Sequence, residues 1–287
     1  MADQAEALRR MMDTNRSQRT AERIVAITSG KGGVGKSNVA VNLAVALQRL
    51  GRSAIVIDLD IGFTNVELLL GARSRRRLTD VLHGADIWDV INHSASGVSF
   101  ITSGTQFADF GQFTPEQLIT LVNQLKRLHE QYDFILLDGS AGMTANSQRL
   151  ISAADDMLLI VTPEPTSIAD AYSFVKFLYR EHSLPTTHIV TNRAQSFVDA
   201  KNAAAKIQSV CTHFLNVSLS ILGYVLDDVH VPDAVRKQTA VMTLYPNTLA
   251  SKCIMQVAKN YLNAGESREE VQLKRGFAAW LDNMFRK

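Results

Sequence analysis

The apolar run Ile24-Val25-Ala26-Ile27-Thr28 leads directly into Gly30-Lys31-Gly32-Gly33-Val34-Gly35-Lys36-Ser37, and an amphipathic stretch to about Leu50 follows. The eight-residue segment fits G-x-x-x-x-G-K-[ST] in full, between a short buried strand and a helix. Its glycines let backbone N–H groups turn toward a phosphate without side-chain clash, and the helix adds its positive N-terminal end. Lys36 is expected on the β- and γ-phosphates and the Ser37 hydroxyl on Mg²⁺, with Asn38 completing the binding segment. The segment reads as a nucleoside triphosphate site.

The rest of the chain repeats the alternation. Apolar runs at Ala54–Ile57, Val98–Thr102, Phe134–Leu137, Met157–Val161, His188–Thr191 and Leu219–Val225 read as strands. Thr114–Glu130, Thr166–His182 and Asp199–Phe214 read as helices between them. Strand, helix, strand at this spacing predicts an α/β fold with a doubly wound, mostly parallel sheet and helices on both faces. With 287 residues, 46% hydrophobic, the chain can bury one large core of this kind, assigned here to residues 23–264. Residues 1–22 read as a polar arm, in which Asp3 to Met12 can form a short helix capped by Asp3. Gly265-Glu266-Ser267 reads as a break before an amphipathic terminal helix, 265–287. The charged first thirty residues lack a signal-peptide core and no apolar run reaches eighteen, which predicts a cytoplasmic protein. Cys211 and Cys253 stand alone and read as small core residues, so no zinc or cluster framework is expected.

Two carboxylate motifs accompany the loop. Phe134-Ile135-Leu136-Leu137-Asp138 has the Walker B form, with Asp138 expected to hold Mg²⁺ through water. Ile57-Asp58-Leu59-Asp60 ends another strand beside the loop, where chemistry is expected in such sheets. The form K-G-G-x-G-K-S, with its additional Lys31, resembles the deviant Walker motif of the MinD/ParA ATPases. That resemblance implies that Lys31 reaches across a nucleotide-sandwich homodimer to the partner's phosphates. It also implies that Asp60 orients the attacking water, as part of the D-x-D-x-G…N switch from Asp58 to Asn65, and that Asp58 assists near the metal. Gly139-Ser140-Ala141-Gly142 resembles the second switch, with Ser140 where Pro or Gly is frequent. Thr191-Asn192-Arg193-Ala194-Gln195 lacks the Asp of a guanine-reading N-K-x-D. By resemblance Asn192 contacts adenine and Leu226-Asp227 border the base, which favours ATP and ADP.

The two ends of the chain point to a branch. Phe277, Trp280, Leu281, Met284 and Phe285, flanked by Lys274, Arg275, Arg286 and Lys287, form an apolar face with basic ends suited to an anionic membrane surface. Docking of this helix on its own domain is the alternative. Asp3-Gln4-Ala5-Glu6-Ala7-Leu8-Arg9 matches D-Q-A-x-x-L-R and resembles the flagellar-number regulators FlhG/FleN (YlxH), in which Asp3, Gln4, Ala5, Leu8 and Arg9 belong to an arm that activates the GTPase FlhF. Ser103 to Gln106, Glu164 to Tyr172 and Val235 to Gln238 resemble the same branch. The resemblance implies further partners in the flagellar switch ring and a flagellar transcription activator, and a peripheral place on the inner face of the cell membrane with ATP. Arg73, Arg75, Arg76 and Arg77 form a dense basic cluster, the feature a DNA-segregation ATPase of the ParA type would use. The net charge of +2 argues against extensive nucleic-acid binding. A division-site regulator of the MinD type is a third reading with the same chemistry.

Overall fold

The computed structural model describes residues 22–60, 65–103, 120, 123–125, 127–139, 151–152 and 154–269, with side chains as far as 264. Its strands are β1 (Arg23–Thr28), β2 (Ala54–Asp58), β3 (Asn92–His93), β4 (Ser99–Thr102), β5 (Phe134–Asp138), β6 (Asp156–Val161), β7 (Thr186–Ala194) and β8 (Ser220–Leu226). They form one sheet in the order β3-β4-β2-β5-β1-β6-β7-β8. Every pairing is parallel except that of β3 with β4. Strands buried on both faces need continuous apolar sequence, which is what β1, β2, β5 and β6 carry.

Alternate residues feed two cores. Val25 and Ile27 of β1 point to the side covered by α1 (Lys36–Arg49), while Ile24 and Ala26 point to the other. On the α1 side lies the short helix α2 (Asn65–Leu70), whereas the five-residue α3 (Leu78–Leu82) buries Leu78 and Val81 in the opposite core. The opposite face is sealed by α4 (Pro165–Arg180) and α5 (Phe197–Leu215), which bury Phe174, Val175, Leu178, Ile207 and Cys211. Ser196 caps α5 by accepting from the Asp199 N–H at 3.1 Å, and Pro165 opens α4, where its missing N–H costs nothing. The last described helices, α6 (His230–Arg236), α7 (Val241–Leu244) and α8 (Leu249–Glu269), lie on the α1 side. Buried Asn42 of α1 fixes α7 there by accepting from the Met242 N–H at 3.0 Å.

The predicted strands appear within three residues at each end, and the helices at α4 and α5 within two. Two differences are informative. β3, a two-residue antiparallel edge, has too few side chains to leave a periodic signal. Helix α8 runs through Gly265-Glu266-Ser267, where the sequence predicts a break. A glycine inside a helix costs only about 1 kcal/mol, which the buried face of Ile254, Val257, Ala258 and Tyr261 outweighs. The arm, the predicted helix from Thr114 up to residue 119, and the apolar face from Phe277 to Phe285 lie outside the described residues.

A buried polar cluster ties α8 to the sheet at the N-terminal ends of its strands. Asp156 Oδ2 accepts from Arg23 Nη1 and from the Tyr261 hydroxyl, both at 2.8 Å, and its Oδ1 lies 3.5 Å from His188 Nε2. Burial pushes the Asp156 carboxyl up, but the hydrogen bond from His188, the Arg23 charge and Tyr261 overcome it and hold the group at about 2. Such a group stabilises the fold above its unfolded value near 3.9 and loses that contribution as the pH falls through about 2. Asp156→Ala, which strands Arg23 and Tyr261 without their acceptor, is expected to cost about 3 kcal/mol at pH 7 in urea unfolding.

Candidate nucleotide site

The glycine-rich loop leaves the C-terminal end of the central strand β1 and is pressed between two other elements. A Cβ on Gly30 would lie 2.2 Å from the carbonyl carbon of Asp170 and 2.3 Å from the Ala171 nitrogen, so the loop rests on the backbone of α4. Gly35 takes φ 90° and caps α1; a Cβ there would lie 2.5 Å from Asn192 Nδ2. Gly33 is left-handed as well, at φ 79°. Val34 and Lys36 are buried, and Ser37 and Asn38 are half-buried at the first turn of α1. The loop thus has the compressed, N–H-lined form that an oligophosphate needs.

Three carboxylates stand at the ends of neighbouring strands. Asp58 and Asp138 are direct partners in the β2–β5 register, and both are fully buried. Asp58 accepts the N–H groups of Asp60 at 2.9 Å and Val66 at 3.2 Å, which anchors both ends of the segment between them. Burial, then the charge of Asp138, pushes the Asp58 carboxyl up to about 8. Asp138 is pushed up to about 7 by burial, against the pull of Ser37 and Lys36. Among the described residues neither of its oxygens has a hydrogen-bond partner. An orphaned buried carboxylate beside a serine hydroxyl is a hard oxygen donor set, and a divalent cation of the Mg²⁺ class fits it. Asp60 is held in place at both its side chain and its backbone, by Asn65 Nδ2 at 3.0 Å and by the Ser103 hydroxyl on its carbonyl at 2.9 Å.

Lys31 sits on the outer side of the loop. Its Nζ lies 2.5 Å from Glu164 Oε2 and 3.1 Å from Thr166 Oγ1, both at the start of α4. The Lys31 hydrogen bond and charge hold the Glu164 carboxyl below its ordinary value, with a smaller pull from Arg193. Asn192 is buried against the loop and donates from Nδ2 to the Val34 carbonyl at 2.8 Å. Leu226, also buried, pairs with Ala194 across β7 and β8, and exposed Asp227 follows with its N–H on the Ala194 carbonyl at 2.8 Å. The loop, Asp58, Asp60, Asp138, Asn192, Leu226 and Asp227 are thus all at the C-terminal ends of their strands. Nothing in the sequence marks Glu164, Thr166 or Arg193 as site residues, and the Glu164-Pro165-Thr166 segment stands out only as a branch motif. Residues 61–64 of the first switch and 140–142 of the second lie outside the described residues, as do Asp3 to Arg9.

Of the arginine cluster, Arg73, Arg75 and Arg76 are exposed, and Arg76 pairs with Asp89 at 3.1 Å. Arg77 opens α3, its N–H on Asp80 Oδ2 at 2.9 Å. Cys211 and Cys253 are both buried thiols, as expected.

Residues 22–184 match the family model described as an AAA domain. The antiactivator FleN of Pseudomonas aeruginosa is 36% identical over 237 residues, which cover 82% of this chain and 85% of that protein. The chain belongs to the FleN family of MinD/ParA-type ATPases. The flagellum site-determining protein YlxH of Helicobacter pylori is 28% identical, over 82% of this chain and 80% of its own. Among solved structures, the MinC:MinD cell division protein complex of Aquifex aeolicus superposes with a TM-score of 0.70 at 26% identity, covering 88% of this chain and 99% of that one. The expected fold and the expected family are both met, and the protein is an ATPase. No helix among the described residues is long and apolar enough to cross a membrane.

The buried carboxylates give this ATPase a pH signature when metal is absent. A carboxyl raised in the folded state binds its proton more tightly there, so stability falls as the pH climbs from about 4 through about 7 for Asp138 and about 8 for Asp58, and is then level. Asp138→Asn removes that charge. In EDTA at pH 8 the variant is expected to be more stable than the parent by at least about 1 kcal/mol, with a flatter pH profile in urea unfolding. It is also expected to lose Mg²⁺-dependent nucleotide binding.

Proposed function

We propose that this ATPase is a nucleotide-dependent switch that sets the number or placement of flagella. The observation that carries the reading is the complete phosphate site with its additional Lys31, in a chain of the FleN family. In the resting monomer Lys31 is occupied by Glu164 and Thr166 of its own chain. ATP offers a stronger anion, and Lys31 exchanges these partners for the phosphates bound by a second copy, so that nucleotide binding and homodimerisation are one event. Gly30 to Gly35 cradle the phosphates, Lys36 neutralises them, and Asn192, Leu226 and Asp227 border adenine. Ser37 and Asp138 would hold Mg²⁺, with Asp58 beside them; the cation supplies charge to the phosphates. Asp60 orients the attacking water. Hydrolysis to ADP returns the monomer.

The dimer presents two terminal helices at once. Two weak membrane contacts on one particle bind far better than one, which couples ATP to residence on an anionic membrane through Phe277, Trp280, Leu281, Met284 and Phe285. The arm, through Asp3, Gln4, Ala5, Leu8 and Arg9, acts on FlhF, and domain surfaces meet switch-ring proteins and a flagellar transcription activator. The names of the relatives, antiactivator FleN and flagellum site-determining protein YlxH, support this direction.

Co-sedimentation with anionic liposomes tests the switch. Pelleting is expected with ATP and not with ADP. Lys31→Ala is expected to keep nucleotide binding while losing both the ATP-dependent dimer in light scattering and the pelleting. An unchanged dimer would sink the role of Lys31. Absence of pelleting with either nucleotide would return the terminal helix to its own domain and send the Arg73 to Arg77 cluster to a DNA-binding assay. Deleting Asp3 to Arg9 is expected to abolish stimulation of FlhF and leave the ATP-dependent dimer intact.

A further inference from the structure

The end of β7 is irregular in a way that serves the phosphate loop. In a regular strand successive side chains point to opposite faces, so two consecutive residues cannot both reach one neighbour. Here Asn192 and Arg193 both do. Asn192 Nδ2 donates to the Val34 carbonyl at 2.8 Å, and Arg193 Nη1 donates to the Gly33 carbonyl at 3.3 Å. The convergence requires a break in the strand, and two breaks coincide. Arg193 takes the left-handed conformation, φ 56°, and the β7–β8 register slips between Thr191 and Ala194. A bulky residue adopts that conformation at a cost in free energy, and bulges of this kind re-aim side chains.

What the two donors hold is the orientation of two peptide planes. In a planar trans peptide the C=O and the following N–H point in opposite directions. Holding the Gly33 carbonyl toward Arg193 therefore turns the Val34 N–H the other way. Holding the Val34 carbonyl toward Asn192 does the same for the Gly35 N–H. The two N–H groups are thereby aimed away from the Asn192 and Arg193 side chains that hold the carbonyls.

We propose that Arg193 is a positioning residue of the nucleotide site, whose guanidinium holds the Gly33 carbonyl outward so that the Val34 N–H meets the phosphates. The role rests on the loop's being the nucleotide site, and it differs from that of the lysines. Arg193 acts on the loop backbone and not on the reacting atoms. It strengthens ground state and transition state alike, so its loss raises KM and leaves kcat.

Full-length Arg193→Ala and Arg193→Lys should be compared with the parent by titration of a fluorescent ATP analogue, steady-state hydrolysis and thermal unfolding without nucleotide. The Ala variant is expected to bind about tenfold more weakly, the scale of one hydrogen bond to a charged donor. Its KM for ATP is expected to rise to match, its kcat to stay within about twofold, and its unfolding temperature without nucleotide to match the parent. The Lys variant, which keeps a cationic donor on a long stem, is expected to recover most of the affinity. The proposal is overturned by wild-type affinity in the Ala variant. It is overturned equally by affinity lost to the same extent in Ala and Lys, by a fall in kcat at unchanged KM, or by a parallel loss of thermal stability. A parent protein that binds no nucleotide would instead overturn the reading of the loop itself.

Discussion

The turn from β1 into α1 has room for backbone and for little else, and the other groups at the C-terminal edge are arranged around it. Gly30 lies against the backbone of α4, and Gly35 against the amide of Asn192. A side chain at either position would have to displace α4, which packs on the sheet, or β7, which is paired within it. The loop is therefore positioned by the sheet and by α4 together. Its neighbours inherit that position. α4 brings Glu164 and Thr166 to Lys31, and β7 brings Asn192 and Arg193 to the loop carbonyls. Contact between loop and scaffold is backbone to backbone at Gly30, side chain to backbone at Gly33 and Val34, and side chain to side chain at Lys31. The geometry can then persist while the charged side chains around it change partners.

The carboxylates lie under the opposite tension. Placing Asp58 and Asp138 side by side at the ends of β2 and β5 removes both from water, and each raises the cost of ionising the other. Asp58 recovers part of that cost through two backbone N–H groups, which also fasten the start of the first switch. Asp138 has no such backbone donor among the described residues, and only Ser37 and Lys36 beside it offset part of the cost. A pair of this kind destabilises the fold when the site holds no cation and stabilises a state in which positive charge is supplied. It makes the fold sensitive to what occupies the loop, as the proposed switch would require.

The parts of this arrangement that could be read from the sequence are those that depend on local pattern. Central strands announce themselves because burial on both faces demands unbroken apolar residues, as in Phe134 to Leu137. The loop announces itself because only glycine tolerates its conformations and contacts. Asp58 and Asp138 could be placed because each ends such a strand. The contacts that complete the site could not be read in the same way. Lys31 and Glu164 are separated by 133 residues and Asn192 and Val34 by 158, and nothing in either local segment names the other. Asn192 was foreseen as a residue facing the base, yet its donation to Val34 follows only from where β7 lies in the sheet. The irregularity at Arg193 had no signal at all, since an arginine after asparagine gives no indication of a left-handed backbone. The continuation of α8 past Gly265 is hidden from the sequence for a related reason. A local cost was visible, and the buried face that outweighs it was not.

In the proposed switch, the contact of Lys31 within its own chain bears on how the protein would stay monomeric without nucleotide. A lysine left free beside an empty phosphate site would be drawn to any anion, including the phosphates of nucleotide bound in another copy. Glu164 and Thr166 give Lys31 an alternative of the same chemistry, an anionic oxygen and a hydroxyl, in the same chain. Both Lys31 and Glu164 remain partly open to water, at 29% and 55% side-chain exposure, so the pair is weak enough to be exchanged. A buried version of the same pair would hold Lys31 against ATP as well, because breaking it would leave an uncompensated charge. In the proposed switch, an ion pair as exposed as this one sets a low threshold for exchange with the more highly charged triphosphate of ATP.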